Sequence, residues 1–535
     1  MPSSNQVPEQ RVDPLMPAER LVHWLSAPTV HVAVGLVLGL IVARQMRRRH
    51  LHWSWAAGAV ALVVLARQSL GCSALIAAVA ALCAALRGRR WHRQDIDAGS
   101  DLTEIAALRR RPWDLLSAAA RTAVDRCTSR IGAPSELILG HDERRRAVPV
   151  PFGGADGGRH TLVVGATGSG KTVTQTWMAV SAIERGMGAI VVDPKGDSGM
   201  REELRRAAHS AGRRFLEWTP AGDCIYNPYA SGSETEIADK VLAGEHFTEP
   251  HYLRQAQRYL GHVVRALRMS AAEISLREIV DRLEPARLEM LVRSLPEHEA
   301  KPTFAYLDSL TARQQRDLAG VRDRLAIMVE SDVGPWLDAR TAGVTRLELL
   351  EAVRARAVVC FRLESDSRPL LTQMLGAAIV QDLQTTVAAL QGCAVPTMVV
   401  IDEFSAVAAD QVVRLFGRAR SAGVSLLLGT QELSDLRPPG RERLLEQVMG
   451  NLSVLIAHRQ VVPGSAELIA GVAGTEGAWK VSHYSDGRTT RTRTREPVLD
   501  PSRIMSLGPG WGAVIVLGAG GGVRITRVCS SSAGR

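Results

Sequence analysis

The sequence predicts an α/β P-loop fold with a mainly parallel sheet, an inserted all-α segment and helices at its N-terminal end that cross a membrane. Three observations carry this. A β-branched run stops at Gly165 and opens through Gly165-x-x-x-x-Gly170-Lys171-Thr172 into a helical pattern. A second apolar run, from Pro396, ends in Asp402-Glu403. Near the N-terminus, residues 25–43 and 53–86 are long apolar stretches of the kind that span lipid.

The first of these is the strand, glycine-rich loop and helix order that a phosphate-binding loop requires. Gly165, Ala166, Thr167, Gly168, Ser169, Gly170, Lys171 and Thr172 would cradle a polyphosphate with inward-facing N–H groups at the positive end of a helix. Lys171 would reach the β- and γ-phosphates of ATP, and the Thr172 hydroxyl would hold Mg²⁺. The chain uses 60 arginines and only five lysines, so a lysine here is a choice against its own habit. A P-loop wants a compact point charge, which a planar guanidinium does not supply.

At 535 residues there is room for several domains. The net charge of +10 is unevenly placed. Residues 1–150 carry 20 basic against 12 acidic side chains, residues 151–477 carry 36 against 40, and residues 478–535 carry 9 against 3. The basic excess therefore sits at the two ends, and much of it suits a membrane anchor rather than nucleic acid. The seven cysteines form no C-x-x-C pair and no metal spacing, which excludes a disulfide framework and a zinc site of the usual pattern.

Residues 1–27 are polar and proline-bearing, without a basic start or a small-residue cleavage site, and read as a tail rather than a signal peptide. Residues 28–87 read as the anchor, with Trp24, Trp53, Trp55 and Trp91 at the ends of its apolar runs, where indoles favour the interface. As one helix, residues 53–86 would be about 50 Å long, too long for a bilayer core. A turn at Arg67-Gln68-Ser69 would make three spans and place Arg44, Arg47–Arg49 and Arg87–Arg90 on the cytoplasmic side; two spans is the rival. Either way the anchor expects a multi-pass inner-membrane protein with its catalytic body in the cytoplasm. Residues 88–150 read as a juxtamembrane connector whose Arg109–Arg111 and Arg144–Arg146 triplets form a solvated basic face, contact with anionic lipid or DNA being the alternative.

The body divides into 151–235 and 336–535 on one side and an all-α insertion, 236–335, on the other, where strand-like runs vanish and amphipathic patterns take over. Ser270-x-x-Glu273 reads as a capping box within it. A buried strand ends at Asp193-Pro-Lys195-Gly-Asp197, and strand C-termini are where ligand groups collect in parallel sheets, so Asp193 and Lys195 are expected near the nucleotide or a subunit interface, the alternative being a turn in which Asp193 caps the next helix. Downstream of the P-loop, Asp402 would fix Mg²⁺ and Glu403 would polarise the attacking water. Residues 406–422 read as a helix bearing Arg414, Arg418 and Arg420, followed by a strand ending at Gly429-Thr-Gln431. Gln431 suits a γ-phosphate sensor, and an arginine of that helix a finger acting on a neighbouring subunit.

Taken together, Gly165–Thr172, Asp193-Pro-Lys-Gly196, Asp402-Glu-Phe404, Gly429-Thr-Gln431 and Leu436-Arg437 resemble the type IV secretion coupling proteins of the TraD/TraG type, which are membrane-anchored, RecA-like ATPases. The resemblance covers about residues 150–535, and the family's all-α insertion falls where 236–335 does. It implies a homo-hexamer that hydrolyses ATP between subunits and passes single-stranded DNA with its relaxase to a secretion channel. By position it makes Arg420 the interface arginine and Gln431 the glutamine motif. Arg488, Arg491, Arg493 and Arg495, alternating with hydroxyl residues from Arg491 on, read as an arm contacting phosphates. Departures are a short C-terminus without an acidic tail and the span count. An FtsK-type duplex translocase shares several of these motifs but not the insertion, and an ATPase pushing protein effectors fits the near-neutral body.

Overall fold

The computed structural model describes residues 28–48, 52–65, 73–97, 135–154, 157–220, 222–245, 247, 249–338, 344–407, 409–437, 443–483, 489–518 and 522–530. Two compact units divide the chain: residues 1–124 with 477–495, and residues 125–476 with 496–535.

In the first unit, helices α1 (Pro28–Arg48), α2 (Ser54–Leu65) and α3 (Ser73–Asp97) pack α1 on α3 and α2 on α3. Small residues make the first contact possible: a Cβ added to Gly35 would lie 2.8 Å from Cβ of Val79, and one on Gly39 would lie 2.6 Å from Cβ of Cys83. This is the close backbone approach that small residues four apart permit. Among the described residues only Pro28–Met46 is long and apolar enough to cross a membrane. Three spans are not supported: the described α2 has 12 residues, about 18 Å against a hydrocarbon core of about 30 Å. In α3, Arg87, Arg89 and Arg90 interrupt the apolar run. The expected turn at residues 67–69, the tail 1–27 and the Arg109–Arg111 triplet lie outside the described residues. A two-stranded hairpin, β12 (Thr475–His483) with β13 (Thr489–Pro497), carries the arginine-rich arm.

The second unit is built on eleven strands in the order β2-β1-β15-β14-β11-β3-β10-β9-β4-β8-β5. Seven of them, β11 (Val454–Ala457), β3 (Thr161–Val164), β10 (Val424–Thr430), β9 (Thr397–Ile401), β4 (Gly188–Asp193), β8 (Val358–Arg362) and β5 (Phe215–Trp218), run parallel. β3, β4, β9, β10 and β11 are buried at every residue, as expected for strands covered on both faces by helices. One face is covered by α4 (Lys171–Glu184) and α5 (Ser198–Ser210), whose Met178, Ile183 and Leu204 meet Val163, Val191 and Val400. The other face is covered by α13 (Pro369–Ala389) and α15 (Ala409–Ala419).

Four antiparallel strands extend the parallel set. β1 (Glu136–Asp142) and β2 (Ala147–Pro151) fall in the stretch read as a connector, yet they join the sheet. The Arg144–Arg146 triplet is the turn between them: Asp142 accepts from the N–H of Arg144 and Arg146 and from Arg146 Nε, and Arg145 takes φ +58°. β14 (Trp511–Val516) and β15 (Val523–Val528) pair β11 and β1 respectively, so the chain's end is part of the main sheet.

Between β6 (Cys224–Tyr226) and β7 (Thr345–Leu347) stand α6 (Glu234–Leu242), α7 (Pro250–Met269), α8 (Leu276–Asp281), α9 (Pro285–Val292), α10 (Glu297–Asp308) and α11 (Ala312–Glu330). They share one core with the α13 side of the sheet. Lys240 on α6 is fully buried and meets Asp382 on α13 at 2.6 Å, with Tyr226 and Ser231 also donating to that carboxylate. Ser270 does not start a helix. It ends α7, the next residue turning through φ +53°, and the caps belong to Ser233, Ser275 and Thr311. Helices α12 (Leu349–Arg354), α14 (Phe404–Val407), α16 (Leu444–Met449), α17 (Pro463–Ala473) and α18 (Pro501–Met505) complete the set.

Candidate nucleotide site

Parallel strands deliver their C-terminal residues to one edge. Here β3 delivers the glycine-rich loop, β4 Asp193, β9 Asp402-Glu403, and β10 Thr430-Gln431. Lys171 Nζ donates to Glu403 Oε1 at 2.6 Å and lies 3.4 Å from Asp402 Oδ1. Lys195 Nζ and Gln431 Nε2 donate to the same Glu403 oxygen, at 2.9 and 3.2 Å. Burial pushes the Glu403 carboxyl up, but the two lysines outweigh it and hold it below the usual range. Burial likewise opposes the charge on Lys195, and Glu403 and Asp402 overcome it to raise that ammonium. Glu403 sits at φ +46°, a left-handed conformation costing a non-glycine residue of order 1 kcal/mol, which aims its side chain back at the loop.

Asp193 does not reach the phosphate loop. Its carboxylate takes the N–H groups of Lys195 at 3.0 Å and Gly196 at 2.9 Å, and that of Asp197 as well, fixing the turn that presents Lys195. Burial raises the Asp193 carboxyl against those three N–H groups, with Asp402 adding to the rise.

Several participants carried only faint sequence signals. Gln175, one turn into α4, donates to Asp402 Oδ1 at 3.1 Å. Gly429 makes room for this bond: a Cβ there would fall 2.2 Å from both Asp402 Oδ1 and Gln175 Nε2. A glycine interrupting a leucine run was the available sign of close approach. His458, at the end of β11, bridges Thr174 Oγ1 at 2.8 Å and the Trp511 carbonyl at 2.9 Å. Burial lowers its imidazole to about 4, the Trp511 bond opposing and Lys171 assisting, so it is neutral. Nδ1–H then donates to Trp511 and Nε2 accepts from Thr174. The loop itself is strapped on three sides: Gly165 N–H to Thr430, Ala166 N–H to the Arg459 carbonyl at 3.0 Å, and Gly510 N–H to the Ser169 carbonyl at 2.9 Å. Gly168 and Gly170 take φ +73° and +111°, which only glycine adopts freely.

Arg420 is not brought to this site within the chain. It is exposed and precedes the other end of β10, where its carbonyl accepts from Gly158. Arg493 and Arg495 are exposed on β13; Arg491 lies on the same strand, and Arg488 falls outside the described residues.

Residues 145–494 match the type IV secretion-system coupling protein DNA-binding domain family. The chain belongs to this family. Among curated proteins, the type 4 coupling protein DotL of Legionella pneumophila is 29% identical over 119 residues, covering 19% of this chain and 15% of its own, so the chain spans a small part of that relative. Among solved structures, the bacterial conjugative coupling protein TrwB lacking its first 70 residues aligns with a TM-score of 0.55 at 16% identity, over 76% of this chain and 91% of the other. TrwB in complex with ADP and Mg²⁺ aligns at 0.54 and 17%, over 70% and 86%. VirB4 of Thermoanaerobacter pseudethanolicus aligns at 0.51 and 14%, over 75% and 98%. The coupling-protein fold, a RecA-like α/β P-loop motor, is therefore the fold of this chain, as its motifs led one to expect.

Proposed function

We propose that this coupling-protein chain is a membrane-anchored ATPase that uses ATP hydrolysis to drive DNA, single-stranded and relaxase-linked, into a type IV secretion channel. The observation that carries the reading is the convergence of Lys171, Lys195 and Gln431 on one oxygen of Glu403 beside a glycine-rich loop. The residues fit a nucleotide and Mg²⁺. Ser169 Oγ at the loop is buried without a partner, and Thr172 and Asp402 are the hard oxygen donors that Mg²⁺ selects. Bound there, Mg²⁺ would neutralise charge on the phosphates. Lys171 supplies compact positive charge where the transferring phosphoryl group accumulates negative charge. Glu403 orients and polarises the attacking water, and Gln431 reports the phosphate end of the site to β10. TrwB structures with an ATP analogue and with ADP and Mg²⁺ support the choice of ligand.

Arg420, exposed at the far strand end, would serve only a neighbouring copy, which supports a ring. The family's DNA-binding description and the exposed Arg493 and Arg495 support a DNA cargo, and α1 supports an anchor in the cytoplasmic membrane. The test is ATP turnover by the full-length chain in detergent, alone and with single-stranded or duplex DNA. Lys171→Ala loses about tenfold or more of the turnover by losing charge stabilisation, and single-stranded DNA stimulates the wild type. Near wild-type turnover in Lys171→Ala overturns the ATPase reading. Preferential stimulation by duplex favours an FtsK-type pump, and stimulation by neither favours protein cargo.

A further inference from the structure

Glu403 Oε1 accepts from three donors at once: Lys171 Nζ at 2.6 Å, Lys195 Nζ at 2.9 Å and Gln431 Nε2 at 3.2 Å. A carboxylate oxygen offers about two lone pairs, so the set is one donor larger than the oxygen can serve well. The surplus donor is identifiable. Lys171 belongs to the phosphate loop, and a bound polyphosphate draws its ammonium away from the carboxylate. What then holds a partly buried, charged Glu403 in place is the pair that remains.

We propose that Lys195 is the positioning residue for Glu403, keeping its carboxylate aimed at the attacking water after Lys171 has turned to the phosphates. This rests on the ATPase reading above. The platform under Lys195 is rigid. Asp193 pins the N–H groups of residues 195, 196 and 197, and its own carbonyl accepts from Leu363 N–H at 3.1 Å. Gly196 turns at φ +76° with the Arg362 guanidinium 3.5 Å from where a Cβ would be, and Arg362 is itself paired to Glu217 at 3.3 Å. Asp197 caps α5 through the Met200 N–H at 2.7 Å. The backbone is thus fixed on both sides of Lys195, while its side chain, 46% exposed, is free to follow the carboxylate. A lysine suits this place in an arginine-rich chain because its compact ammonium can share one oxygen with two other donors, which a planar fork cannot.

The inference is tested with the full-length chain by steady-state ATP turnover and by titration with a fluorescent ATP analogue. Lys195→Ala lowers kcat by roughly tenfold to a hundredfold, up to the scale of a misplaced catalytic group, while KM and analogue affinity stay within about twofold. Lys195→Arg, which keeps a donor, recovers part of the loss. In a Glu403→Gln background, Lys195→Ala costs nothing further, because there is no carboxylate left to aim. An equal loss in both backgrounds, or a loss confined to KM and affinity, overturns the role. The melting temperature of Lys195→Ala stays at the wild-type value, since Asp193 holds the turn through backbone N–H groups. Turnover of Lys171→Ala, measured alongside, separates the two readings: if it equals wild type, the ATPase assignment itself has failed.

Discussion

Acidification should loosen the second unit through His160, and the size of the effect follows from its surroundings. The ring is buried, stacks edge-on against Phe416 at 5.1 Å, and accepts the Leu426 N–H at Nδ1. Burial, with Arg420 nearby adding to it, lowers the imidazole from 6.5 to about 4. Between those values the unfolded chain binds a proton that the folded chain excludes, so stability falls as pH falls through that window and is unaffected above it. At 1.36 kcal/mol per unit, the loss is roughly 2 kcal/mol at pH 5 and about 3 kcal/mol by pH 4. His458, lowered to the same region, contributes a similar amount. His160→Asn keeps an acceptor near the Nδ1 position but cannot titrate. Urea unfolding followed by intrinsic fluorescence at pH 7.5 and 5.0 should therefore give a pH-dependent loss roughly 2 kcal/mol smaller in the variant than in the wild type. An identical loss in both proteins would refute the reasoning.

Two further outcomes are expected. Lys240→Met strands Asp382, which is nine-tenths buried and faces Tyr226 and Ser231, and lowers stability by about 3–5 kcal/mol; Lys240→Met with Asp382→Leu recovers most of it, as thermal unfolding will record. Arg493→Ala with Arg495→Ala weakens DNA binding across sequences and flattens the slope of log affinity against log salt by about 2, measured by fluorescence anisotropy.

What the sequence made legible is local. The P-loop is eight consecutive residues, the acid pair ends an apolar run, and Gln431 ends another, so each could be placed at a strand C-terminus by pattern alone. The residues it hid are joined only by the fold. Thr174 and His458 stand 284 positions apart, and His458 looks like any polar residue after a strand. Gly510 gave a turn signal, Gly508-Pro509-Gly510, without saying which loop it would brace. The outer strands were hidden for another reason. Residues 136–142 are short, and the neighbouring Arg144–Arg146 triplet draws attention to charge where the decisive residue is Asp142, the acceptor that closes the turn. The anchor shows the limit of apolar length as a guide, since the described α2, Ser54–Leu65, has only 12 residues within a stretch, 53–86, long enough in sequence for more than one crossing.

The strap from Gly510 to Ser169 has a consequence for biogenesis. The loop that would bind nucleotide lies in the first third of the chain, but its support is translated near the end: His458 late, and Gly510 with the Trp511 carbonyl last of all. A ribosome-bound chain that has completed β3 still lacks the later segments that brace its P-loop. A product truncated before residue 508 would lack the Gly510 strap and the Trp511 carbonyl that orients His458, and its phosphate loop would keep only the straps to Thr430 and Arg459.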